Sequence, residues 1–191
     1  MPGSATEPRI HITGASGTGV STLGRAVAEA LGIRVIDTDD AYWMPTDPCF
    51  TTKRPVPERL AVLRHAQGTG GWVIAGSLCG WGDRAIETVD LIVFLTAPTT
   101  QRIARIRRRE RAWFGDRIAP GGDMERIHTE FVAWAEQYDD PHFTGRTRVM
   151  HESWLMEQTA PVVRLEGTGR VDALLAEVLA GLSGLARNAR V

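Results

Sequence analysis

The residues best suited to chemistry near the start of the chain form a glycine-rich stretch between a predicted strand and a predicted helix. The strand is the alternating run 9–13, and apolar residues recur at helical spacing over 23–31. Glycines let backbone N–H groups turn toward an anion, and a helix N-terminus adds partial positive charge. This context predicts a phosphate-binding loop, here called the phosphate loop, with the residues Gly14, Ala15, Ser16, Gly17, Thr18, Gly19, Val20, Ser21 and Thr22.

The phosphate loop matches the template G-x-x-x-x-G-K-S/T at every defined position but one. Gly14, Gly19 and Ser21 match, and Val20 stands where the template has lysine. The lysine normally brings a mobile positive charge to the β- and γ-phosphates, so its loss removes a cation but keeps the backbone and the Ser21 hydroxyl, a predicted Mg²⁺ ligand. Nucleotide binding can survive this change, whereas catalysis needs positive charge from elsewhere. A purely structural glycine turn is the alternative, and the strand and helix on either side argue against it.

A cluster of carboxylates follows the second predicted strand, residues 33–37. The run reads Asp37-Thr38-Asp39-Asp40. In open α/β sheets ligands bind at the carboxyl ends of the strands. Asp37 and Asp39 are therefore candidates for metal and acceptor binding, and the alternative is that these carboxylates only cap a following turn.

Residues 41–57 combine prolines, aromatic residues and polar residues without a regular period, which predicts a binding loop or cap, here called the cap segment. It contains Lys53, the sole lysine among 22 basic residues. An ammonium is a compact point charge that a guanidinium cannot imitate, so Lys53 is a candidate catalytic residue; a genomic preference for arginine codons is the other explanation. Trp43 is a candidate to stack on a base or sugar, or else it packs beneath the cap.

An arginine-rich helix is predicted over residues 99–114. Arg102, Arg105 and Arg109 share one face by spacing, although arginine runs are most often solvated faces. Residues 112–123, here called the lid segment, carry Arg117 between glycines, and Asp123 is predicted to cap the next helix.

Length and composition favour a single α/β domain over residues 1–191. Strands alternate with helices, which implies a mainly parallel sheet, and the run Trp72–Gly76 is one of its buried strands. A net charge of -1 gives no global basic field, so we expect neither nucleic acid nor a membrane as partner. Two cysteines fit a reducing compartment, and neither an apolar leader nor a membrane-length run is visible, so a cytoplasmic location is predicted.

Together these features resemble the nucleotide and small-molecule kinase branch of the phosphate-loop NTPases, which includes adenylate, shikimate and gluconate kinases. The resemblance is carried by the phosphate loop, Asp37-Thr38-Asp39, Gly76, the segment 102–117 and the glycines at 167–169. More narrowly, the missing lysine and the Pro45-Thr46-Asp47-Pro48 run resemble bacterial chains labelled adenylate-kinase-like. The resemblance implies a three-layer α/β sandwich with a five-stranded sheet in the order 2-3-1-4-5, an arginine-rich helical lid, and Mg²⁺ and ATP as ligands.

The resemblance also implies roles for individual residues. Asp37 would hold Mg²⁺ through water with Ser21 nearby, and Asp39 would receive the acceptor hydroxyl. Gly76 and Trp43 would line the acceptor site. Arginines of the lid would close over the nucleotide, with Arg105, Arg109 and Arg117 as the candidates. Apart from the resemblance, we hypothesise that Lys53 or a lid arginine folds over the γ-phosphate and replaces the missing lysine charge.

The sequence thus predicts an ATP-dependent phosphotransferase acting on a small acceptor, with a nucleoside monophosphate as the first guess and a monomer or homodimer as the assembly. The alternative is a nucleotide-binding sensor that has lost turnover with the lysine. Sulfotransfer is disfavoured, because enzymes of that kind use a nearby loop lysine that this loop does not have.

Overall fold

The computed structural model describes residues 7–188 of the chain, and its five strands form one parallel sheet. The spatial order is β2-β3-β1-β4-β5, which confirms the predicted α/β class and strand order. Parallel neighbours require crossover connections, and helices provide them on both faces. The strands are β1 (Arg9–Gly14), β2 (Arg34–Asp37), β3 (Trp72–Ala75), β4 (Leu91–Thr96) and β5 (Val162–Glu166).

Seven α-helices and three single-turn 3₁₀ helices connect the strands within the described residues. None of the helices between residues 7 and 188 has the length and apolar character needed to cross a bilayer. The α-helices are α1 (Val20–Leu31), α2 (Thr38–Tyr42), α3 (Val56–Gln67), α4 (Thr99–Phe114), α5 (Glu125–Glu136), α6 (Arg148–Met156) and α7 (Val171–Asn188), and the 3₁₀ turns are Asp83–Ala85, Gly115–Ile118 and Gln137–Asp139.

The sheet separates two apolar cores. On one face Ile10, Ile12 and Val93 pack with residues of α1 and α7. On the other face Ile74 and Phe94 pack with residues of α3 and α6. Alternate residues of each strand thus bury opposite faces, so the central strands read as continuous apolar runs. This double burial fixes the carboxyl ends of β1, β2 and β3, where the candidate site residues begin.

Helices α4 and α5 pack on each other through a third, smaller apolar cluster. Between them lies the lid segment, which contains the 3₁₀ turn Gly115–Ile118. The predicted capping role of Asp123 is wrong: Met124 occupies the N-cap position of α5, without a side-chain cap. Arg117 draws the Asp123 carboxylate away, since its Nε donates to Oδ1 at 3.0 Å.

Candidate functional site

The phosphate loop connects β1 to α1 and is built around two left-handed glycines. Gly17 has φ 84° and Gly19 has φ 106°. The buried Thr18 hydroxyl donates to the carbonyl of Ala15 at 2.8 Å and so closes the turn from within. The sequence therefore forms this loop with glycine where the backbone reverses and with a threonine that ties the turn together.

The start of α1 is open to an anion. Gly19 provides no side-chain cap, and the first turn carries no acidic residue. The first amides of a helix have no intrahelical acceptor, and with the helix dipole they favour a phosphate. Val20 is only 8% exposed and belongs to the apolar core, so it contributes no polar group to this anion site.

Helix α4 supports the phosphate loop from behind through two arginines. Arg102 is fully buried, and its Nη1 donates to the carbonyl of Ser16 at 3.4 Å. Nη1 of Arg105 donates to the carbonyls of Thr18 at 3.2 Å and Gly167 at 2.7 Å. Both guanidinium groups thus hold backbone carbonyls of the loop, and the predicted contact of Arg105 with phosphate remains a prediction.

The two left-handed glycines give a matched pair for testing how tightly α4 packs on the loop. A Cβ on Gly17 would lie 2.9 Å from Cα of Arg102, whereas a Cβ on Gly19 meets nothing within 4 Å. We expect Gly19→Ala to cost about 1 kcal/mol of unfolding free energy from left-handed strain alone. Gly17→Ala should cost about 3 kcal/mol, because backbone must also move. Urea denaturation measures both, and equal losses would contradict the packing described.

Ser21 and Asp37 place two hard oxygen donors side by side. Ser21 Oγ donates to Asp37 Oδ2 at 3.0 Å, and Asp37 Oδ1 accepts from the amide of Asp39 at 3.0 Å. Asp37 is therefore also the N-cap of α2, as the capping alternative has it. A hydroxyl and a carboxylate fit Mg²⁺, which commonly takes one or two carboxylates and completes its shell with phosphates and water.

Asp39 lies two residues beyond, in the first turn of α2, and its surface is exposed. Desolvation, followed by the charge of Asp37, raises the pKa of Asp39 to about 6, while Arg146 and Arg109 act in the opposite direction. A carboxylate with such a pKa can accept a proton near neutral pH. Its predicted role toward an acceptor hydroxyl remains a prediction.

Gly76 determines how closely α2 approaches the end of β3. Its φ is 128°, and a Cβ there would lie 2.8 Å from the Cβ of Thr38. The glycine thus lets the first turn of α2, with Asp39, rest directly against the sheet. Its predicted contact with an acceptor remains a prediction.

The cap segment forms a small antiparallel loop that follows α2 along the chain. Trp43 and Lys53 form a β-bridge, and the Trp43 ring lies 4.9 Å from that of Tyr42 in an edge-on arrangement. Lys53 is exposed, with Nζ 6.0 Å from the Tyr42 ring centroid, and it makes no hydrogen bond or ion pair within residues 7–188. The structure therefore does not bring Lys53 into contact with the phosphate loop.

Arg117 joins the lid segment to the cap segment. Its Nη2 donates to Asp47 Oδ1 and to Asp123 Oδ2, each at 2.6 Å, and these hydrogen bonds raise the pKa of the Arg117 guanidinium. Arg109 lies over the ring of Trp113, with Cζ 4.9 Å from the ring centroid. Of the three predicted lid arginines, Arg109 is the one whose charge acts on Asp39.

Sequence reasoning missed Arg146, which precedes α6. Its Nη2 donates to Ser16 Oγ at 3.1 Å, and its guanidinium lies over the Trp134 ring at 5.1 Å. Its Nε is buried without a hydrogen-bond partner among the described residues. The residues around it follow no period, so only the tertiary packing of α5 and α6 reveals that Arg146 reaches the loop.

Sequence reasoning also missed a chain of hydrogen bonds that links Ser77, His151 and Tyr138. His151 Nε2 pairs with Ser77 Oγ at 2.9 Å, and His151 Nδ1 pairs with the Tyr138 hydroxyl at 2.8 Å. Burial lowers the pKa of His151 to about 3, so the imidazole is neutral at physiological pH. The chain fixes Tyr138, and burial raises the pKa of its phenol, so the hydroxyl is neutral at physiological pH.

The parallel sheet order, the glycine loop and the open helix start define a P-loop NTPase domain. The family model described as an AAA domain matches residues 10–128, most of the chain, and the chain belongs to this family. The uncharacterized protein YqaC of Bacillus subtilis (strain 168) is 38% identical over 175 residues, covering 91% of this chain and 97% of that protein. A cytidylate kinase of Methanoregula boonei is 22% identical over 170 residues, covering 81% and 91%.

Two solved kinase structures share the fold. A gluconokinase from Sinorhizobium meliloti 1021 superposes with a TM-score of 0.54 at 20% identity, covering 96% of each chain. A shikimate kinase from Bacteroides thetaiotaomicron gives 0.52 at 17% identity, covering 92% of this chain and 98% of the other. The predicted kinase-like P-loop fold is confirmed, and at these identities the likeness extends to the fold alone.

Proposed function

We propose that this chain is an ATP-dependent, Mg²⁺-requiring phosphotransferase that moves a γ-phosphate to a small acceptor. The observation that carries the proposal is the Ser21–Asp37 hydrogen bond with Asp39 beside it, because it sets two metal-compatible oxygens and a base next to an open phosphate loop. Phosphoryl transfer needs little more than in-line placement and neutralised charge.

Each residue of the site has its own role in the proposed transfer. The amides at the start of α1 hold the polyphosphate, and Ser21 and Asp37 would hold the metal. Mg²⁺, when bound there, neutralises charge on the phosphates. Asp39 takes the proton of an acceptor hydroxyl, and Arg109 offsets the negative charge around Asp39.

The acceptor proposed for the first test is a nucleoside monophosphate. The relative named as a cytidylate kinase supports that order of testing. The oxygen of a monophosphate is already ionised and would rely on the nearby arginines, whereas a hydroxyl acceptor would rely on Asp39 as base. The two acceptor classes thus place different demands on Asp39, and substitution there separates them.

A nucleotide sensor without turnover is the second candidate, and Val20 is the observation that favours it. Its side chain is packed into the core and offers no charge to a γ-phosphate. In that case the loop would bind the nucleotide, and the Asp37 and Asp39 carboxylates would respond to the bound nucleotide without phosphoryl transfer.

One assay separates the two candidates. Purified protein with Mg·ATP is tested against nucleoside monophosphates, nucleosides and sugar acids, with ADP release as the readout and calorimetry of ATP binding alongside. We expect ADP release with one class of acceptor only. Measurable ATP affinity with no release from any acceptor would favour the sensor, and no ATP binding at millimolar concentration would refute both.

A further inference from the structure

We propose that Arg146 supplies the positive charge that the phosphate loop lost when valine took the lysine position, by contacting the γ-phosphate of bound ATP. This inference rests on the proposed function, since it requires a nucleotide on the phosphate loop. It assigns a catalytic role to a residue outside both the loop and the lid segment.

The position of Arg146 is the first argument. Its Nη2 contacts Ser16 of the phosphate loop at 3.1 Å, and its charge also acts on Asp39, the candidate acceptor base. Among the described arginines, Arg146 is the one that both contacts the phosphate loop through a side chain and acts by its charge on Asp39.

The engagement of the other cations is the second argument. Arg102 and Arg105 donate through Nη1 to backbone carbonyls of the loop, so those N–H groups are already engaged. Arg117 is committed to two carboxylates, and Lys53 is exposed in the cap segment. Arg109 pairs with the buried Glu110 at 3.3 Å.

The state of Arg146 itself is the third argument. Its Nε has no hydrogen-bond partner within residues 7–188, as is also true of Arg102 and Arg109, but unlike those two arginines it forms no ion pair there. The Trp134 ring holds its guanidinium plane in place at 5.1 Å. Arg146 is partly buried and has the Ser16 hydroxyl but no carboxylate as partner, so an incoming anion gains more from this partly desolvated cation than from a solvated one.

Nucleotide discrimination tests the contact without relying on turnover. We expect wild-type protein to bind Mg·ATP about tenfold or more tightly than Mg·ADP, because hydrogen bonds to a charged group discriminate on this scale. Arg146→Ala should bring the two affinities within about twofold of each other. Arg126→Ala, which removes a surface arginine 77% exposed on α5, should leave the ratio unchanged. Calorimetry gives the affinities, and thermal unfolding checks that each variant is folded.

Restoring charge at the template position completes the test. Val20→Lys in the Arg146→Ala background should recover at least about fivefold of the lost discrimination, since the lysine reaches the same phosphate. Because Val20 is packed in the core, Arg146→Lys serves as a second variant, and its ratio should lie between wild type and alanine. In a transfer assay Arg146→Ala should lower kcat about 10³-fold.

Failure of the inference differs from failure of the proposed function. A folded Arg146→Ala that keeps the wild-type ratio of ATP to ADP affinity would overturn the inference alone, with or without transfer. Wild-type protein that binds neither nucleotide would overturn the proposed function, and the inference with it.

Discussion

Asp39→Asn should abolish most phosphoryl transfer to a hydroxyl acceptor and at the same time make the protein more stable. A positioned general base contributes about 10²–10⁴-fold to the rate, so we expect kcat to fall about 10³-fold. The wild-type rate should rise with pH up to about 6, the pKa of the Asp39 carboxyl, and then level off. The variant should not show that titration. A pH series of initial rates measures both effects.

The gain in stability follows from the direction of the same pKa. The pKa of Asp39 is about 6 in the fold, above the 3.8 of a free aspartate side chain, so the folded protein binds more protons between these values. The free energy of unfolding therefore falls as pH rises through this window. Above it, the ionised Asp39 carboxylate destabilises the fold by its full amount. Because Asp39 is exposed to solvent, we expect Asp39→Asn to raise the free energy of unfolding by only about 1 kcal/mol at pH 7.5 and by less at pH 5.

Asp40→Asn is the matched control for Asp39→Asn. Desolvation and the charge of Asp37 raise the pKa of Asp40 as well, but the charges of Arg146 and Arg109 do not offset that shift as they do at Asp39. We expect it to leave transfer within about threefold of wild type. Retained transfer to a hydroxyl acceptor in Asp39→Asn would contradict the base assignment.

The strands and the phosphate loop could be predicted from the sequence because their signals are local. Apolar runs such as β4 are buried on both faces, and the spacing of Gly14, Gly19 and Ser21 determines a turn at the start of a helix. The position of Asp37 and Asp39 followed from the end of β2. These features need only a few neighbouring residues to form, so their pattern is visible without the fold.

The environment of each side chain could not be predicted in the same way. Helical spacing correctly groups Arg102 and Arg105, but nothing local shows that this face meets the carbonyls of the loop. Arg146 lies about 130 residues from Ser16 along the chain, in a segment without a period. Lys53 was singled out by its rarity, a property that carries no information about location.

Arg102→Ala should have the largest effect on stability, about 4 kcal/mol of unfolding free energy. The Arg102 side chain is fully buried and donates to the carbonyls of Ser16 and Ala135 as well as to Thr99 Oγ1 at 2.9 Å. Removing one partner of a buried charged network leaves polar groups unsatisfied, which typically costs about 3–5 kcal/mol. In a domain of this size that loss lowers the Tm by roughly 10 °C.

The same substitution should weaken ATP binding by about tenfold in protein that is still folded, because the Ser16 carbonyl loses its anchor to α4 and the amides of the loop are no longer held in a concave arrangement. Arg107→Ala is the matched control: it lies on the same helix, its side chain is 60% exposed, and its ion pair with Glu136 is on the surface. We expect the control to change the unfolding free energy by less than about 0.5 kcal/mol. Urea denaturation and calorimetry at 15 °C measure both effects. If Arg102→Ala lost stability but retained full ATP affinity, the buried arginine would support the core without shaping the phosphate loop.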